Sequence, residues 1–182
     1  MLDAAIDACC IIDLLASGNA EAVLRASGFK WHLPAAVQGE VQYCRQYDPA
    51  LPGKTVNVPA DISGLLTSGV LTLCDPENQD ELELFTHYAA TFRSDGEAMC
   101  LALATHRKWV MATDDRKALR VARQAGIAVV SCPELVKAWA DAAGPDQSTL
   151  NKVLQDIQVL AQFKPNSTMR EFQWWIDELA KT

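Results

Sequence analysis

The chain has 182 residues, 49% of them apolar and 21% charged, with a formal net charge of −7. That length accommodates one full hydrophobic core rather than two, and the composition is that of a globular protein, not a disordered or fibrous one. No apolar stretch approaches the roughly 20 residues that cross a bilayer, and the acidic balance excludes a protein that holds nucleic acid by bulk charge alone.

In chain order, the apolar run at 4–8 reads as a short buried strand carrying Asp7 near its end. Asp3, Asp7 and Asp13 interrupt the N-terminal apolar residues and no basic flank precedes them, so a signal peptide is not expected and the cytoplasm is the default compartment. Asp3 and Asp13 are expected to be solvated. A helix through Ile11, Ile12, Leu14 and Leu15 is broken by Ser-Gly-Asn at 17–19, and another is expected over 21–26. Residues 30–33 read as a second strand, and Pro34 suits the first turn of a helix carrying Val37, Glu40 and Val41.

Residues 46–60 are rich in Pro, Gly and polar side chains without clear periodicity, which predicts a long loop. A short helix near 62–67, a strand at 70–74 and a helix over 79–92 with Leu82, Leu84, Phe85 and Tyr88 at helical spacing come next. Then a helix over 96–106, a strand at 109–112, a helix over 116–125 stopped by Gly126, a strand at 128–130 and a helix over 133–140 alternate regularly. Such alternation predicts an α/β fold with a parallel sheet covered on both faces. Gly144-Pro145 marks a break. Beyond it Leu150, Val153, Leu154, Ile157 and Leu160 trace one apolar helix face, and Phe172, Trp175, Ile176 and Leu179 another. Residues 1–143 are therefore expected as the domain, and 144–182 as a helical hairpin packed on it or at a dimer interface.

Six cysteines are present, but no CxxC pair or HxxxH accompanies them, and most sit in apolar runs. Buried reduced thiols are expected rather than disulfides or zinc. His32, His87 and His106 share no ligand spacing and read as surface or satisfied groups. Trp174 and Trp175, at helical spacing with Phe172 and Leu179, read as packing residues rather than a base-stacking platform.

Functional groups of parallel α/β sheets gather at the carboxyl ends of the strands. Asp7 ends the first strand, Asp114 and Asp115 follow the strand at 109–112, Glu97 starts the helix that feeds that strand, and Glu40 lies in the helix after the second strand. These acids can converge on one edge of the sheet. Crowded carboxylates repel unless a cation neutralises them, and an all-oxygen set suits Mg²⁺ or Mn²⁺, which serve phosphodiester hydrolysis. Each acid also has a structural reading: Ser94 and Glu97 have capping-box spacing, and Thr113, Asp114 and Asp115 can cap the helix that follows. Arg116, Arg120 and Arg123 fall on one helix stripe beside Asp115, suited to RNA phosphates or simply to solvent. Arg45 and Lys54 are weaker candidates.

The runs IDACCIIDLL at 6–15, VQGEV at 37–41, GEAMCLALA at 96–104, ATDDRKALRVA at 112–122 and GIAVV at 126–130 resemble, in order, the motifs of PIN-domain proteins, and are similar to the VapC-type toxin ribonucleases. The resemblance covers roughly residues 2–140. It implies a three-layer α/β/α fold, a homodimer and Mg²⁺- or Mn²⁺-dependent RNA cleavage, by a toxin held by an antitoxin protein. Carried over, Asp7 matches the first acid, Glu40 the second and Glu97, more often Asp in compact toxins, the third. Thr-x-Asp spacing selects Asp115 as the fourth with Asp114 beside it, and Thr113 matches a hydroxyl residue lining the site. The alternative is a catalytically silent PIN-like module that binds RNA or protein. A receiver or phosphoryl-transfer domain on another doubly wound fold is disfavoured, because Asp7 is followed by Ala-Cys-Cys rather than by a second acid.

Overall fold

The computed structural model describes residues 1–181. Its first half contains β1 (Leu2–Ile6), α1 (Ala8–Ala16), α2 (Ala20–Ala26), β2 (Phe29–Pro34), α3 (Ala35–Glu40), β3 (Tyr43–Tyr47), β4 (Thr55–Pro59), α4 (Ser63–Thr67) and β5 (Leu71–Cys74). The second contains α5 (Gln79–Ala89), α6 (Asp95–Arg107), β6 (Val110–Ala112), α7 (Arg116–Gln124), β7 (Val129–Val130), α8 (Cys132–Ala143), α9 (Gln147–Asp156) and α10 (Phe172–Ala180).

Five strands form one wholly parallel sheet in the order β5-β2-β1-β6-β7. A strand buried on both faces needs a continuous apolar run rather than alternation. Ala4, Ala5 and Ile6 of β1 supply it, each without exposed surface. Helices α1, α2 and α8 pack together on one face, and α5 and α6 pack together on the other, with α7 against α6. The result is the expected three-layer α/β/α architecture.

The chain steps outward from β1 to β2 and β5, then returns across the sheet to β6 and β7. The reversal lies between β1 and β6, which pair directly with Ile6 opposite Ala112. At such a switch point the connections leave on opposite faces and open a crevice at the carboxyl ends of the strands. Asp7 and Thr113 are the first residues beyond those two ends.

Residues 46–60 are not the loop expected from their composition. β3 and β4 pair antiparallel from Tyr43–Pro59 to Tyr47–Thr55, as a separate two-stranded sheet packed on α1 and the chain after α9. Apart from Pro59 at the end of β4, the Pro, Gly and Asp residues lie in the connection, where the Asp48 carboxylate accepts from the Ala50 N–H and Gly53 takes φ +80°. Both strands are largely exposed, so they lack the apolar signature of a core strand.

The C-terminal segment belongs to the same core. Leu150, Val153, Leu154, Ile157 and Trp175 are buried in one cluster with residues of the sheet and α1. The apolar face read through Leu160 is not one continuous α-helix: beyond α9, residues 157–161 widen into a π-turn, ended by Gln162 in the left-handed region. In α10 the expected face is only partly right, since Trp175 is fully buried while Ile176 is 41% exposed. Trp174 is half-buried and lies edge-on to Trp175, in accord with packing.

His32 is buried, bonded to Asp3 at 2.7 Å and stacked on Trp109, while His106 lies 3.0 Å from Glu81. All six cysteines are free; Cys10, Cys100 and Cys132 are buried and the others half-buried. Among the described residues no helix is long and apolar enough to cross a membrane.

Candidate functional site

Asp7 leaves β1 and becomes the N-cap of α1. One carboxylate oxygen accepts from the Ala8 N–H at 2.7 Å, and the other from the Thr113 hydroxyl at 2.9 Å and the Cys9 thiol at 3.3 Å. The residue is only 2% exposed. Burial pushes its carboxyl from an ordinary 3.8 up to about 6, against those hydrogen bonds and with the Glu97 charge adding to the rise.

Glu97 sits in the first turn of α6, where a negative charge suits the helix dipole. The N-cap of that helix is Ser94, as the capping-box spacing predicts, but Glu97 does not complete the box. Its Oε2 is buried and has no hydrogen-bond partner. A carboxylate oxygen in that state is costly unless a proton or a cation meets it.

Glu40, at the end of α3, reaches across to the same helix start. Its Oε1 accepts from the Ser94 hydroxyl at 2.6 Å and from the Gly96 N–H at 2.8 Å. It therefore occupies an anion-favouring helix N-terminus. The approach is close: a Cβ on residue 96 would lie 2.5 Å from Glu40 Oε2, so the Glu40 carboxylate would have to move away. Gly96→Ala is thus expected to displace Glu40 and lose both hydrogen bonds, costing about 1–3 kcal/mol. Thermal melts check this. Most of the loss should be suppressed in a Glu40→Ala background, because the clash is then gone.

Thr113 and Asp115 complete the arrangement from β6. Thr113 is wholly buried, donates to Asp7 and accepts the Asp115 N–H at 3.2 Å. Asp115 is exposed and is the N-cap of α7, accepting the Ala118 N–H at 2.7 Å. It is tied to Asp7 through one hydroxyl. Asp114 turns the other way: both its oxygens accept the Cys132 N–H at 3.1 Å at the start of α8, and it also accepts from the Cys10 thiol.

Asp114 has a partner that sequence reasoning missed. Asp13, expected to be solvated, is 5% exposed and has one buried oxygen with no hydrogen-bond partner. Burial and the neighbouring Asp114 charge push its carboxyl well up, and burial raises Asp114 to about 7. The signal was available: Asp13 lies three residues after buried Cys10 and one before buried Leu14 on the packed face of α1, where the three share one side. Asp13, Asp114 and Cys132 offer ligand atoms within 4.8 Å of one another, the closest such set among the described residues. The expected convergence is not of that kind: no three of the carboxylates of Asp7, Glu40, Glu97 and Asp115 come within that distance of one another.

Arg116, Arg120 and Arg123 lie together along α7, exposed, and line one cleft. Compared with known protein families, curated proteins and solved structures, the chain matches none of them.

Proposed function

We propose that this crevice is the active site of a metal-dependent endoribonuclease, with Asp7 and Glu97 as the principal holders of Mg²⁺ or Mn²⁺. The observation that carries the reading is the pairing of a buried Asp7, whose carboxyl is raised by burial and by Glu97, with a Glu97 oxygen that has no partner. A divalent cation would satisfy both acids at once, and oxygen donors of this kind fit a hard ion. When bound, it would supply charge stabilisation and an acidified water for attack on a phosphodiester.

The chain's own residues have distinct tasks in this account. The Thr113 hydroxyl and Ala8 N–H fix the Asp7 carboxylate, so its orientation is set by β6 and α1 rather than by substrate. Asp115, exposed at the rim and held by its own cap bond, is placed to accept a proton from an incoming water or to join the cation's ligands. Glu40 acts through α6: it anchors the helix start that carries Glu97, and is a positioning residue. Asp114 is left to the α8 contact. The resemblance to VapC-type toxins extends the proposal to a homodimer and to an antitoxin partner protein.

The test is cleavage of a mixed RNA pool by the full chain with Mg²⁺, Mn²⁺ or chelator. Cleavage should need the cation and fall more than about a hundredfold in Asp7→Asn, the lower range for a positioned charge-handling group. Parent-like cutting by Asp7→Asn or Asp115→Asn removes the mechanism. The second reading, a silent RNA- or protein-binding module, is favoured by the exposure of Asp115 and the wide spacing of the acids. A folded parent that gives no Mn²⁺ isotherm would support it.

A further inference from the structure

Five of the eight arginines have no acidic partner among the described residues, and three of them, Arg116, Arg120 and Arg123, share one helix stripe in a chain of net charge −7. Arg116, Arg120 and Arg123 form no ion pair or hydrogen bond among the described residues, whereas Arg25, Arg107 and Arg170 pair with Glu21, Glu81 and Glu134. Like charges at this spacing destabilise a helix by about 0.2–0.5 kcal/mol per pair. With 23 acids available against 16 Lys and Arg, compensation was within reach of the composition. A ligand that brings its own negative charge explains the arrangement.

The space beside them is shaped. A cleft of about 430 Å³ has the arginine stripe as one wall and Asn166, Ser167 and Thr168, from the connection before α10, as the other. An adjoining hollow of about 280 Å³ shares Arg123 with it and continues to Ser131 and to Arg170, which is paired with Glu134 there. On the far wall the Ser167 hydroxyl and the Asn166 side-chain N–H₂ have no partner among the described residues, while the Asn166 oxygen orders the turn through the Thr168 N–H and hydroxyl. The cleft thus offers fixed positive charge on one side and neutral hydrogen-bonding groups on the other. Its near end is beside Asp115, which Arg116 directly follows. At 1.5 Å per helical residue, the stripe extends about 10 Å from there.

We propose that this cleft, completed by the C-terminal segment, is the bed for the sugar–phosphate backbone of single-stranded RNA entering or leaving the acidic site. The inference rests on the ribonuclease reading for its choice of polyanion. Guanidinium forks match phosphate oxygens, and hydroxyl and amide groups suit a ribose hydroxyl. It assigns the C-terminal segment a part in substrate binding as well as in the core.

The test is fluorescence anisotropy with a labelled twelve-nucleotide single-stranded RNA and full-length Asp7→Asn protein in Mg²⁺, across a salt series. Arg120→Ala and Arg123→Ala, added singly, should each weaken binding about tenfold and lower the log–log salt slope by about 0.7, the counterion release of one single-strand phosphate contact. Ser167→Asp, which leaves the arginines in place, should weaken binding too, and Arg25→Ala on α2 should not. Unchanged affinity and slope in both arginine variants overturn the proposal. So does displacement of the RNA by poly-glutamate as effectively as by unlabelled RNA, which would make the cleft a site for an acidic protein segment. The two readings fail separately: arginine-dependent binding without any cleavage by the parent sinks the nuclease and keeps the cleft. Asp7-dependent cleavage with arginine-independent binding does the reverse.

Discussion

In the presence of chelator, Asp7→Asn is expected to melt at a higher temperature than the parent above pH 6. A carboxyl raised from 3.8 to about 6 holds its proton more tightly in the folded than in the unfolded chain. The contribution of Asp7 to stability is therefore fully present below pH 4 and is lost as pH rises through the interval from 4 to 6, by roughly 3 kcal/mol in all. Asparagine is neutral throughout and keeps an oxygen for the Ala8 N–H, but gives up the Thr113 O–H bond, worth about 1 kcal/mol. The net gain of about 2 kcal/mol corresponds to about 4–8 °C for a chain of this size. At pH 4 the advantage disappears, because the parent's Asp7 is then neutral as well. If Asp7 is a ligand of the proposed site, adding Mn²⁺ at pH 7.5 should raise the melting temperature of the parent and leave the variant unmoved. Melts at pH 4, 6 and 7.5 with and without Mn²⁺ decide this. A parent more stable than the variant throughout, in chelator, would mean that Asp7 is an ordinary cap and not a group held at a cost for function.

The largest loss of stability is expected from Trp175→Ala. The indole is fully buried and edge-on to Phe163 and Trp174, in the cluster that joins α9 and α10 to the sheet domain. Removing it leaves a cavity that a helix pinned at both ends fills poorly, for a cost of about 3–5 kcal/mol. Its Nε1–H has no partner, so part of the indole's contribution is already offset by an unsatisfied donor. Trp175→Phe, which removes that donor while keeping a ring, should therefore cost far less than the alanine variant. Denaturant titrations measure both. Equal and small effects would show that the C-terminal segment is an appendage that the core does not need.

The alternation of apolar runs with helical spacing makes the central sheet legible in the sequence, because strands buried on both faces leave a continuous apolar signature. The positions of Asp7, Thr113 and Asp115 were legible for the same reason, since they follow the ends of those runs, and that of Glu97 because it opens the next helix. What each carboxylate does locally was not. Ser94-x-x-Glu97 has the spacing of a reciprocal cap, yet the carboxylate that meets the Gly96 N–H comes from Glu40, fifty-six residues earlier in the chain. Asp114 and Asp115 are adjacent in sequence and face different helices, a separation set by the turn after β6 rather than by residue type. Asp13 was misread because a charged residue is assumed to seek water, although its register with Cys10 and Leu14 places it inward. The β3–β4 hairpin escaped because exposed strands need no apolar pattern, and its turn residues dominated the composition of the segment.

Glu97 separates the functional from the purely structural account most sharply, since a cap residue would be satisfied by the helix and a cation ligand would not. The deciding measurement is the Mn²⁺ dependence of RNA cleavage by the parent and by Glu97→Gln, which keeps the side chain's size and removes its charge. If Asp7 and Glu97 hold the cation together, the variant should need at least about tenfold more Mn²⁺ for half-maximal cleavage, as expected for damage to a metal site. Identical Mn²⁺ curves and rates for the two proteins would contradict the site proposed for this crevice.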